Sequence, residues 1–147
     1  MNTDETLRDL VLHTDDQLGD LLQVLLQRAN QRQMWLLFID PEGRLGEPLM
    51  PMDDYPRDPL TLTRVDDLGE VTEAHLLMQR IGLILEATGN ASVVLVWERV
   101  GSAGVNPQDR AWAQAMAERA TGLGIPLRAQ FVLHASGIRQ LHPDDYL

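Results

Sequence analysis

Five polar side chains fall within one short stretch, where an apolar run gives way to a small-residue loop. They are Glu98, Arg99, Ser102, Asn106 and Asp109, in VVLVWERVGSAGVNPQDR. A carboxylate at such a crossing can act as a general base, and a guanidinium can clamp an anion. Ser102, Asn106 and the N–H groups of a following helix offer a polar cradle. The segment is not a Walker loop, because it lacks the lysine and the full glycine spacing. A plainer account stands beside this one: Glu98 and Arg99 are the first exposed residues beyond a buried strand, and the loop is a connection. Trp97 reads as core or rim packing.

The elements around this stretch follow from periodicity. Thr14 with Asp15 and Asp16 offers an N-cap, and Leu18, Leu21, Leu22, Leu25, Leu26 and Ala29 repeat at helical spacing up to about Asn30. QMWLLFID is a continuous apolar run, expected as a buried strand. The turn residues at 40–43 lead to a second strand at 45–50, and PMDDYPRDPL is expected as a surface loop. LTLTRV is a short strand, expected at an edge. Ala74, Leu77, Met78, Ile81, Ile84 and Leu85 form the stripe of a helix that Gly89 and Asn90 stop. ASVVLVW is the second buried strand. Asn106 caps a helix with Pro107 in its first position and Gly122 or Gly124 at its end. A hairpin at 129–134 and 138–141 closes the chain. The expected fold class is α/β (α+β): a single mixed β-sheet domain over 17–147 with helices on its faces. Residues 1–16 are an acidic tail or a short helix.

Composition excludes several chemistries. The chain has 147 residues, no Cys, and a net charge of −10, and all 12 of its basic residues are Arg. Disulfides, thiolate nucleophiles and Schiff-base lysines are therefore out. The acidic balance argues against nucleic acid and anionic membrane as partners. No signal peptide or membrane span is expected, which makes a cytoplasmic protein the natural reading. His13, His75, His134 and His142 show no shared ligand spacing. The acidic pairs at 15–16, 53–54, 66–67 and 144–145 lack the alternation of a calcium loop and read as solvating charge.

The element order and the loop resemble the JAB/MPN metalloprotease-like fold, and within it the RadC-like bacterial group; the layout is also cytidine-deaminase-like. That family places His-x-His directly after a buried strand, then a small-residue loop, then Ser-x-x-Asp opening a helix, then a strand pair reached through a Gly-Ile segment. Here the strand VVLV, the loop GSAGV, the segment 124–127 and the hairpin AQFVLHASGIRQL carry the likeness. The histidine positions fall on Trp97 and Arg99, the serine on Asn106, and only Asp109 keeps its type. The family's upstream Glu falls loosely on Glu47. Trp and Arg do not bind zinc, and one Asp cannot hold it. The resemblance therefore implies a degenerate member with no metal and no cofactor: a non-catalytic interaction or regulatory domain that meets a protein partner or forms a homodimer. The competing expectation is a metal-independent enzyme or small-molecule binder using the cleft at 97–110, with a raised Glu98 pKa as its mark. DNA handling conflicts with the charge.

Overall fold

The computed structural model describes residues 9–27 and 29–146. Helix α1 (Asp15–Leu26) is followed by strands β1 (Gln33–Ile39), β2 (Met50–Met52), β3 (Leu62–Val65) and β4 (Gly69–Thr72). Helix α2 (Glu73–Thr88), strand β5 (Ser92–Glu98), helix α3 (Pro107–Leu123), strands β6 (Leu127–His134) and β7 (Gly137–Leu141), and the single turn α4 (Pro143–Tyr146) complete the order.

A five-stranded mixed sheet runs β2-β1-β5-β6-β7. Its centre, β5, pairs antiparallel with β1 and parallel with β6, so α3 forms the crossover that a parallel pair requires. Helices cover both faces, which explains why β1 and β5 read as unbroken apolar runs rather than alternating ones. On one face Met34, Leu36, Phe38, Val93, Leu95, Trp97 and Val132 pack against α2 and α3. On the other, Leu37, Ile39, Val94, Val96, Phe131 and Leu133 pack against Leu18, Leu21 and Leu22 of α1. Each such side chain, buried, contributes roughly 1.5–3 kcal/mol of transfer free energy.

Several expectations change. Residues 62–65 do not join the main sheet; they pair with 69–72 in a separate two-stranded sheet. The acidic stretch between them is the turn, closed by Gly69 at φ 72°. The second strand is not 45–50 but 50–52, and Leu45 makes only an isolated bridge to Ile39. Helix α1 stops at Leu26 rather than near Asn30, because Gln27 turns to φ 63° and the chain leaves to bond elsewhere. Ala29 then donates to the His134 carbonyl at 3.0 Å. The expected tail or helix at 1–16 lies partly outside the described residues. Ahead of α1, Leu12 is buried and its N–H donates to the Gly43 carbonyl at 2.8 Å. Among the described residues no helix is long and apolar enough to cross a membrane.

Candidate functional site

The strand alternation of β5 sends Glu98 and Arg99 to opposite faces of the sheet. Glu98 follows Val94 and Val96 toward the α1 side; Arg99 follows Trp97 toward α3. The candidate residues are therefore two groups, not one.

Glu98 is the last residue of β5 and only 3% exposed, not the first exposed residue after the strand. Gln33 lies directly across the ladder from it, and its Nε2 donates to Oε1 at 2.9 Å. The Trp35 indole donates to the same oxygen at 2.8 Å. Oε2 accepts the backbone N–H groups of Asn30 and Gln31, at 2.9 and 3.0 Å. Burial alone pushes the carboxyl pKa up, but these bonds outweigh it and hold the pKa below its ordinary value. A general base needs a proton affinity near working pH, and Glu98 is displaced the other way. Its carboxylate anchors the connection between α1 and β1.

On the α3 side, Arg99 Nε and Nη2 donate to Asp109 Oδ2 at 3.0 and 2.8 Å. Nη1 and Nη2 also donate to the carbonyls of Ser102 and Gly104, so the guanidinium gathers the loop around itself. Ser102 enters through its backbone carbonyl. Asp109 also completes a capping box: its N–H donates to Asn106 Oδ1 at 2.7 Å, and its carboxylate accepts the Asn106 N–H at 3.1 Å. The pair is largely sequestered, with side-chain exposures of 12% and 5%. Two backbone bonds fasten the crossing to the neighbouring hairpin: Arg99 N–H to the Leu133 carbonyl and Ala135 N–H to the Gly101 carbonyl.

The loop at 51–60 is not a plain surface loop, for it closes this crossing from above. Tyr55 stands edge-on to Trp97 and Trp112, with centroids 5.8 and 5.4 Å apart, and the Arg32 guanidinium lies 3.8 Å from the Tyr55 ring centre. Arg32 donates to the Tyr55 and Pro56 carbonyls, and the Trp112 indole donates to Pro56 and Arg57. Trp97 is core, its indole donating to Gln130, which in turn donates to the Ala113 carbonyl. What remains between Arg32, Tyr55, Arg99 and Asp109 is about 40 Å³. That is room for about one water, against the roughly 300 Å³ at which ligand pockets begin. Larger clefts, of 540 and 380 Å³, open where the parallel strands begin, around Leu123 and Ile125 and around Gln140 and His142.

The histidines stay apart. His134 is buried; its Nδ1 accepts the Ser136 N–H at 3.1 Å. Burial first, then the charges of Arg99 and Arg139, lowers its pKa. Among the described residues no three His, Asp or Glu side chains converge as they would around a metal ion. At the positions where the resemblance would put zinc ligands, an indole and a guanidinium stand, so the residues do not fit that ion. The acidic pairs partly carry ion pairs: Asp15 with Arg128, Asp67 with Arg80, Asp145 with Arg139. Sequence reasoning missed Gln33, Trp35, Arg32, Tyr55 and Gln130. Gln33 and Gln130 were visible as polar residues bordering apolar strands, which signals a buried partner. Compared with known proteins, the chain matches no family model and no curated protein sequence.

Proposed function

We propose that the chain is a non-catalytic interaction domain, a metal-free scaffold of the JAB/MPN-like kind that works by meeting a protein partner or a second copy of itself. The observation that carries this reading is the state of the crossing. Arg99, the group best placed to clamp a ligand, is held by Asp109 and two loop carbonyls. Glu98 is held by four donors on the opposite face. Both charges serve the scaffold. Under this reading, the Arg99 guanidinium supplies beside Asp109 the positive charge that a metal would otherwise bring.

Metal content tests the metal-free part of this reading, and light scattering tests whether the chain assembles. Protein produced with added zinc and then dialysed is expected to carry none in stoichiometric amount, and a chelator is expected to leave its Tm unchanged. One equivalent of zinc that resists dialysis, with a lowered Tm on chelation, would overturn the reading.

A further inference from the structure

His134 is the last residue of β6, and by strand alternation its side chain shares the α3 side of the sheet with Val132. It is 6% exposed. Its Nδ1 accepts the Ser136 N–H at 3.1 Å, so the neutral ring carries its proton on Nε2. The charged groups that face it are Arg99, from the end of β5, and Arg139 of β7. Each is itself paired with a carboxylate, Asp109 of α3 and Asp145 of α4. Glu98 points to the opposite face, with Val94 and Val96. The stretch between α1 and β1 brings a backbone group, the Ala29 N–H on the His134 carbonyl at 3.0 Å. From α1 comes the uncharged Gln23, which takes the Ile138 N–H. A proton on Nδ1 would turn this acceptor into a donor facing a donor, and would add a third positive charge beside two guanidiniums. The segments next to the ring have little apolar surface to hold them, for residues 100–104, Ala135 and Ser136 are all exposed. Hydrogen bonds hold them instead: Ala135 N–H to the Gly101 carbonyl at 3.1 Å, Ser136 N–H to the imidazole, and Arg139 to the Ala103 carbonyl. Opening there costs far less than unfolding the sheet.

We propose that His134 is an acid-sensitive latch: its protonation opens the turn at 135–136 and releases the crossing loop at Gly101, while the five-stranded sheet stays closed. This goes beyond the interaction reading and does not depend on it. In the closed form the ring's proton affinity is lowered, first by burial and then by the two arginines. In the open form the ring meets water and regains the ordinary value near 6.5. A group whose pKa is depressed in the closed form favours opening once pH falls below its ordinary value. The latch is therefore held above neutrality. Opening then rises by up to about tenfold per pH unit below 6.5, until the closed form itself takes the proton.

Amide hydrogen exchange of the full chain, corrected for the intrinsic rate at each pH, reads this opening at Ala135 and Ser136. Between about pH 7.5 and 5.5 the protection of both is expected to fall several-fold, by up to about tenfold. At the acid end, guanidinium below the unfolding transition is expected to leave their exchange unchanged while accelerating that of Leu95 in β5, because a local opening exposes little surface. In His134→Asn the pH dependence at 135 and 136 is expected to vanish, although His13, His75 and His142 remain. In the unaltered chain the His134 ring itself is expected to titrate below its ordinary value by NMR. A change in protection below about twofold, guanidinium sensitivity at 135 and 136 equal to that of Leu95, a pH dependence that survives His134→Asn, or a ring that titrates at or above its ordinary value overturns the latch.

Discussion

Glu98→Gln changes one oxygen to an amide nitrogen at the junction of α1, β1 and β5. The four groups around Glu98 are all donors, two on each carboxylate oxygen, at 2.8 to 3.0 Å. If the glutamine NH2 faces the Asn30 and Gln31 N–H groups, both lose their acceptor; if it faces the other pair, Gln33 can turn its own amide to accept and only the Trp35 indole loses one. Hydrogen bonds to a charged group contribute about 1.5–3 kcal/mol each. The cheaper orientation loses one such bond, which predicts a destabilisation of about 1.5–3 kcal/mol, a large fraction of the 5–15 kcal/mol typical of a domain. Trp35→Phe removes one donor and leaves the carboxylate three; it is expected to cost only about 1 kcal/mol. Guanidinium denaturation, with midpoints converted at a common slope, measures both. A Glu98→Gln loss below about 1 kcal/mol, or one no larger than that of Trp35→Phe, would refute the reasoning that this carboxylate is an anchor.

Other consequences are as direct. Arg99→Ala leaves Asp109 buried without its cation and is expected to destabilise by about 3 kcal/mol, with residues 100–105 becoming the first site of limited proteolysis. Stability should fall in acid through two groups. The Glu98 pKa is depressed on folding, so its contribution is complete above the ordinary Glu range and lost as pH falls through the folded value. The His134 pKa is also depressed; the unfolded chain takes up that proton first, and stability declines as pH drops below about 6.5. His134→Asn, which keeps an acceptor near Nδ1, should flatten the part of a Tm–pH profile just below neutrality while leaving the more acidic part. Gly137→Ala forces a Cβ at φ 138° to 2.7 Å from the Gln23 amide oxygen. A loss of about 1–3 kcal/mol is expected by thermal melting, together with faster hydrogen exchange at Ile138.

Periodic segments were legible because their pattern reports burial locally. The stripe from Ala74 to Leu85 and the Asn106-Pro107 start each placed a helix, and the runs of β1 and β5 announced a sheet covered on both faces. Residues whose role depends on distant partners were not legible. Glu98 looked like an exposed strand end because its donors come from 63 to 68 residues away in the chain. Tyr55 lay in a proline- and aspartate-rich loop with no periodicity, and only the folded chain puts it between Trp97 and Trp112. Of the candidate cluster, the sequence correctly suggested that Asn106 caps a helix. It had no means of showing that strand alternation divides Glu98 from Arg99.

The tryptophans are distributed so that each layer carries its own optical signal. Trp35 lies on the α1 side with its indole bonded to a carboxylate, while Trp97 and Trp112 sit 5.5 Å apart on the α3 side. Rings this close, held at a tilt of 41°, give an excitonic couplet in far-ultraviolet circular dichroism, which disappears as soon as that pair separates. Emission from Trp35, taken as the difference between the protein and its Trp35→Phe variant, follows the other layer. The two signals, recorded in parallel melts, therefore distinguish a domain that opens layer by layer from one that unfolds as a unit.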